Sequence, residues 1–513
     1  MLRIKNIHCT FSVIPSQNCM DTLMNKLTPL KPIPTLIAVA ITLIIWFAIP
    51  VPEGVNPNAW HLLALFVGTI AAIIGKALPI GGVSIVAISL VAATGVTNPE
   101  STKGAIADAL SGFSNDLIWL IGISIMVSMS LNKTGLGARI GYYVISLFGK
   151  KTIGIAYSLA IAETILAPVT PSNTARGGGI IHPIMRSISD SFGSKADDGT
   201  AGKIGRYLSL VNYNINPITS AMFITATAPN PLIVSLIVSE AGKGNELTWG
   251  MWAIAAFVPA IVSLILMPLV IYFMYKPEIT STPDAPNFAK ERLQQLGPIS
   301  LPEMITLGVF ILLLMMWAGV PEMLFGPSFS VNATTAAFIG LSVLLGTGVI
   351  NWDDVLKNKG AWDTVVWFAA LVMMASFLGK LGLIKWMSIT VGNSIDSMGI
   401  SWVWGTLILV LIYVYSHYFF ASTTAHITAM FGAFFAAGLA LGAPPMLLGL
   451  TLAFSSSLMM SLTHYGTGTA PIIFGSGYAT LGEWWKAGFV MSVVNLIIWI
   501  SLGSIWWKFL GYW

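Results

Sequence analysis

Charge is what this chain has least of. Asp, Glu, Lys and Arg make up 9% of its 513 residues, whereas a soluble domain carries about 25%. Hydrophobic residues make up 55% and the mean hydropathy is +0.80. A soluble fold of that composition would leave too much apolar surface in water, so the chain reads as a polytopic membrane protein. Polar sequence nowhere runs long enough to fold alone, which excludes a soluble catalytic domain and a nucleic-acid-binding module. Cysteine is nearly absent: Cys9 and Cys19 are the only two. A disulfide scaffold and a thiolate metal site are therefore excluded, and no metal or cofactor is expected. The G-x-x-x-x-G-K-[ST] loop that cradles nucleotide phosphates is missing as well. Residues 1–33 lack the apolar core and small-residue cleavage site of a signal peptide, and read as a disordered cytoplasmic tail.

Apolar stretches of about 20 residues cross a bilayer as helices. They fall at about 34–51, 60–75, 79–96, 115–132, 206–239, 250–275, 302–320, 331–349, 361–379, 443–476 and 486–508. Two further apolar regions, about 152–190 and 401–440, carry a polar break near the middle. Each crosses twice or re-enters as a hairpin with the polar residues at its tip, and the polar tips favour re-entry. With the amino terminus inside, 19 of the 25 Lys and Arg face the cytoplasm and five face out, with Arg176 between. That is a strong positive-inside bias.

The halves repeat. Trp119 in DLIWLIGISIMVSMSLNKTGLG parallels Trp367 in TVVWFAALVMMASFLGKLGLI, and ITSAMFITATAPNPLIV parallels LMMSLTHYGTGTAPIIF. Five crossings per half invert the second relative to the first, the architecture of inverted-repeat carriers. The expected organisation is a tail over 1–33, a first helix over 34–51 and a first repeat over 59–275. A cytoplasmic linker over 276–301 and a second repeat over 302–513 follow.

Two polar tripeptides sit inside the apolar hairpins. Ser172-Asn173-Thr174 is followed by Arg176, and Ser422-Thr423-Thr424 by His426 at the same offset. A lone Ser-Asn-Thr in a membrane helix is usually a packing feature. A matched pair beside matched Pro and Gly breaks points to one substrate site shared by the halves. Pro168, Pro171 and Gly177-Gly178-Gly179 bracket the first tripeptide. The spans at Thr225–Pro231 and His464–Pro471 are interrupted in the same way. Broken helices expose N–H groups at positive ends that attract anions. Two tips and two breaks can surround a small molecule with a carboxylate at each end.

The stretches TPSNTARGGG, FASTTAH, TATAPNP and the closing FGSGY resemble the divalent anion–sodium symporter family. They are most similar to its 2-oxoglutarate/malate translocator and citrate or tartrate/succinate antiporter branch. The resemblance runs from about residue 34 to the end. It implies a dimeric elevator carrier with two re-entrant hairpins in its moving part. It also implies that Ser172, Asn173, Thr174, Ser422, Thr423 and Thr424 contact substrate, with Thr227, Ala228, Thr467 and Gly468 completing the site.

The second tripeptide departs from the sodium-coupled pattern, because Ser-Thr-Thr lacks the amide that helps ligate sodium. Arg176 and His426 are expected to replace sodium as counter-charge, making exchange obligatory and sodium-independent. Pairing of Arg176 with Glu163 is the competing arrangement, disfavoured because Glu163 lies well below the tip. Glu163 and His417 read as buried hydrogen-bonding groups, and His182 and His464 as packing residues. The chain is thus expected to be an all-α bacterial inner-membrane antiporter of C4/C5 dicarboxylates, with 11 spans and two hairpins. Its partners are the substrates, the lipid bilayer and a second copy. Sodium- or proton-coupled symport and citrate transport are the alternatives within the class. An intramembrane hydrolase using Ser172 or Ser422, with His426 as base for Ser422, and a channel are the alternatives outside it.

Overall fold

The computed structural model describes residues 30–513 apart from 243, 384–385, 387–389 and 391–400. The expectations attached to Arg3, Lys5, Cys9, Cys19, Lys26, Lys243 and Lys385 lie outside the described residues. Regular structure among the described residues is helical, with one isolated bridge between Lys151 and Ser281. Among the described residues, nine helices are long and apolar enough to cross a membrane, and six shorter apolar helices accompany them. The expectation of an all-α polytopic membrane protein is met.

Two helices expected as spans end on glycine stop signals. Ile80–Thr94 ends at Gly95, and Asp116–Thr134 at Gly135, both glycines at positive φ. Such residues take the left-handed conformation that closes a helix, at little cost only for glycine. Among the described residues, the short helices Val320–Phe325 and Trp352–Lys357 were not foreseen, nor were Thr102–Leu110, Leu136–Phe148 and Ala285–Gln295. The last two pack on each other. Arg139 of Leu136–Phe148 binds Glu303 at 2.6 Å and the Gly297 carbonyl at 3.0 Å. The linker is therefore fastened rather than free. It also grips both ends of the first hairpin, through Thr282 N–H to Lys150 (2.9 Å) and Ile279 N–H to Lys203 (3.0 Å).

Two helices form the centre. In Gly205–Met222 every residue but Arg206 is buried, and in Pro445–Leu458 everything from Leu447 onward is buried. The two pack together, and each runs into a break. After Met222 the chain turns extended at Phe223, and a new helix starts at Asn230. The Asn230 amide donates to the carbonyls of Ser220 and Phe223, both at 2.9 Å. It satisfies acceptors that the broken helix leaves open, as buried backbone at membrane depth requires.

Both polar tripeptides lie at turns between packed helices. Thr152–Leu166 leads through a short turn into a π-helix, Thr174–Ile181, and the helix His182–Ser191. Trp402–Tyr415 leads through Ser416–Phe419 into Thr423–Ala440.

Candidate functional site

The two tips converge on one segment, the break at 463–469. From the first tip, the Asn173 amide donates to Thr467 Oγ1 at 2.9 Å. From the second, Thr423 Oγ1 donates to the Gly466 carbonyl at 3.2 Å. Gly468 lies so close to the first tip that a Cβ there would come within 2.6 Å of Thr174 Oγ1. The break of the first half joins through Ala226, whose carbonyl accepts from Arg176, and Thr225, whose hydroxyl donates to the Pro168 carbonyl. Thr227 and Ala228 follow directly. Ser172 and Ser422 each accept a backbone N–H three residues on, from Ala175 (3.2 Å) and Ala425 (3.3 Å). Ser422 thereby caps the helix Thr423–Ala440, whose positive end faces the tip.

Burial separates the expected contact residues from the expected counter-charges. Ser172, Asn173, Thr174, Ala228, Ser422, Thr424 and Gly468 keep exposed surface, while Thr227, Thr423 and Thr467 are nearly buried. Arg176 and His426 are both fully buried.

The expectation for Arg176 needs correction. Arg176 pairs with Glu163 at 3.4 Å, both fully buried. The π-helix packs back against Thr152–Leu166, so a long side chain reaches a carboxylate that backbone rise alone places too deep. Its other nitrogens donate to the Thr170 and Ala226 carbonyls (2.8 and 2.9 Å) and to Thr219 and Ser220 (3.3 and 3.0 Å). A guanidinium has five N–H groups, and these contacts engage all of them. Arg176 ties tip to break and has no donor left for a ligand.

His426 is enclosed in the same way. Its Nδ1 lies 3.0 Å from Nδ1 of His417, its Nε2 lies 3.3 Å from Ser416 Oγ, and Phe420 stacks on its ring. Its ring nitrogens are spent on groups other than Ser422. The nucleophile–base arrangement that an intramembrane hydrolase needs is therefore not formed there. Buried hydrogen bonding is what Glu163 and His417 were expected to provide. His182 lies 3.5 Å from Asn212 and His464 accepts from Trp485 at 3.1 Å, as packing residues do.

Sequence reasoning missed the hub. Asn216 donates to Glu163 (2.6 Å) and to the Asn173 carbonyl (3.1 Å), and accepts from Asn173 and Thr469, both at 3.3 Å. Gly177 is needed beside it, because a Cβ there would lie 2.7 Å from the Asn216 amide. The signal was present in Asn212, Asn214 and Asn216, three amides within five residues of one expected span.

An all-helical multi-pass membrane protein whose polar turns plug into broken central helices has the architecture of a membrane transporter. The chain belongs to the family described as the sodium:sulfate symporter transmembrane region, whose model matches residues 31–513. It is a transporter, not an enzyme. YflS of Bacillus subtilis, whose name gives malate transport as its proposed role, is 51% identical over 95% of this chain and 98% of its own length. Dicarboxylate transporter 1 of spinach chloroplasts is 46% identical, over 94% of this chain and 82% of that one. The inner membrane protein YbhI of Escherichia coli is 36% identical, over 93% and 98%. Among solved structures, the YdaH transporter of Alcanivorax borkumensis superposes with a TM-score of 0.57 at 12% identity, covering 88% of this chain and 98% of that one. That likeness bears on the fold alone.

Proposed function

We propose that this chain exchanges C4/C5 dicarboxylates such as 2-oxoglutarate, malate, succinate and fumarate across a bacterial inner membrane, without sodium. The observation that carries this reading is the convergence of both tripeptides on 463–469. A ligand with an anionic group at each end can meet one tip and one helix end from each half. The names of the spinach and Bacillus relatives support the substrate class. In this reading Ser172, Asn173 and Thr174 form one half of the site and Ser422, Thr423 and Thr424 the other, with Thr227, Ala228, Thr467 and Gly468 completing it.

Sodium independence is supported by what Arg176 does. It binds carbonyls of the tip and of the break together, the linking role a bound cation would fill, and it cannot leave. Exchange follows from the cost of returning empty. Without a dianion, positive helix ends and unmatched hydroxyls would cross the bilayer unsatisfied. The carrier works as a dimeric elevator, with re-entrant hairpins entering from opposite sides of an inverted repeat and the amino terminus inside. Tips that both reach mid-chain breaks fit that topology. Citrate, and symport driven by sodium or protons, are the competing readings.

Counterflow in proteoliposomes tests the proposal. Vesicles preloaded with malate or succinate take up labelled 2-oxoglutarate equally with and without sodium, and empty vesicles take up almost none. Uptake into empty vesicles that needs sodium would make this a symporter.

A further inference from the structure

We propose that the cleft between the helices Pro32–Leu43 and Ile80–Thr94 binds an anionic phospholipid, an acyl chain lying along its floor and the phosphate held by Lys31 and Lys76. This goes beyond the transport reading and needs only that the chain spans a membrane.

The cleft follows from how three helices pack. Pro32–Leu43 and Ile80–Thr94 each lie against Pro57–Ile74, which leaves a channel between the outer two. Small residues keep it deep: Ala38, Gly68 and Ala87 line it and are buried. Gly68 has to be small, because a Cβ there would collide with Thr42 Oγ1. Val39, Leu43, Val86 and Leu90 stand as exposed apolar walls. The cavity holds about 460 Å³, within the range of about 300–1,000 Å³ of small-molecule sites.

Its lining selects an apolar occupant. Thr35, Thr42, Thr69 and Thr94 all border it, and each turns its hydroxyl back to a carbonyl four residues earlier. No hydroxyl hydrogen of these four is left for a polar ligand. The lining runs the length of the first helix, from Leu30 to Phe47. A cleft that is long, apolar and open to the bilayer fits an acyl chain.

The positive charge sits at one end of it. Leu30, Ala77 and Leu78 form that end, where the Lys31 N–H donates to the Ala77 carbonyl at 2.9 Å, next to Lys76. Both lysines are exposed, and among the described residues neither ammonium has an ion pair or hydrogen bond. From residue 30 to 94 the one Asp or Glu is Glu53, in the turn beyond the other end of the first helix. An ammonium binds phosphate as a point charge, and basic pockets between membrane helices take anionic head groups.

Lys76 also occupies a position that suits glycine. The helix Pro57–Ile74 is closed by Lys76 N–H on the Ile73 carbonyl (3.0 Å) and Ala77 N–H on that of Ala72 (2.9 Å), and φ at Lys76 is 53°. The stops at Gly95 and Gly135 use glycine in that conformation; among the described residues, Lys76 alone adopts positive φ with a side chain. The helix dipole favours a cation somewhere in that turn, not at its strained residue. A side chain kept under strain points to a use for it.

Photolabelling of the full chain in nanodiscs tests the site, with equal parts of phosphatidylglycerol and phosphatidylcholine as the bilayer. Phosphatidylglycerol with a diazirine in its acyl chain labels Val39 and Val86 several-fold above the other lipid-exposed helices, and tagged phosphatidylcholine does not. Lys31→Gln with Lys76→Gln erases that preference. Val86→Trp fills the cleft and removes labelling of Val39 by both lipids. Lys76→Gly separates binding from folding: glycine fits the turn, so melting in detergent is not lowered while the preference falls. Lower melting with the preference intact would make Lys76 a structural cap and overturn the proposal. Even labelling of all helices, equal labelling by the two lipids, or a preference that survives loss of both lysines would overturn it too. If a second copy fills the cleft, neither lipid labels Val39 and Val86→Trp changes the oligomeric state, which is a further refutation. Transport is not read, so the result stands apart from the substrate proposal.

Discussion

Arg176 and His426 stand at the same offset from their tripeptides, and both are buried behind a tip that meets the break at 463–469. The first is a permanent cation with every N–H engaged and a carboxylate 3.4 Å away. The second is an imidazole held between the His417 ring at 3.0 Å and the Ser416 hydroxyl at 3.3 Å. Repetition of position has not preserved role. An ion pair anchors the first tip, while a chain of hydrogen-bonded rings backs the second.

The largest effect should come from breaking the first arrangement. Arg176→Ala strands Glu163 in the interior, costing about 3–5 kcal/mol, and abolishes exchange. Arg176→Ala with Glu163→Gln recovers much of the thermal stability in detergent, because no uncompensated charge remains. Equal melting of the single and double variants would mean the pair does not hold the hairpin.

Next comes crowding at the hub. Gly177→Ala drives a methyl against the Asn216 amide; overpacking of this kind costs about 1–3 kcal/mol, and exchange slows with it. Ser422→Ala removes a helix cap and, in the proposed function, a substrate contact. It lowers stability by about 0.5–2 kcal/mol and raises KM more than it lowers Vmax in counterflow. An unchanged KM would leave Ser422 a cap only.

The smallest effect lies outside the site, at Lys133–Asp354 on the surface. Lys133 and then the Asn351 backbone N–H hold the Asp354 carboxyl below its usual range. Its contribution is therefore full above about pH 4, the unfolded value, and fades as pH falls through the lower folded value. Lys133→Ala costs under about 1 kcal/mol at neutral pH, and less still in acid; a melting series over pH checks the sign.

The class of fold, and the polar turns beside broken helices, were legible in the sequence because both rest on local rules. Long apolar runs must be membrane helices, and Pro and Gly beside Ser, Asn and Thr must break them. The wiring was harder to see. Backbone rise put Glu163 out of reach of Arg176, but side-chain length and the packing of a π-helix against the facing arm close that gap. Asn216 is separated from Asn173 by 43 positions and from Thr469 by 253. A contact at such separation follows from how helices pack, which neither composition nor spacing encodes. The same holds for His417 and His426, visible as two histidines near a tip but not as a pair 3.0 Å apart.

The central claim is that both tripeptides hold one substrate. Its most direct test is single-cysteine protection at Ser172 and Thr424, with Cys9 and Cys19 replaced. Malate should shield both cysteines from a thiol reagent with the same concentration dependence, and sodium should shield neither. Protection at one position alone, or at neither, would contradict a site shared by the two halves.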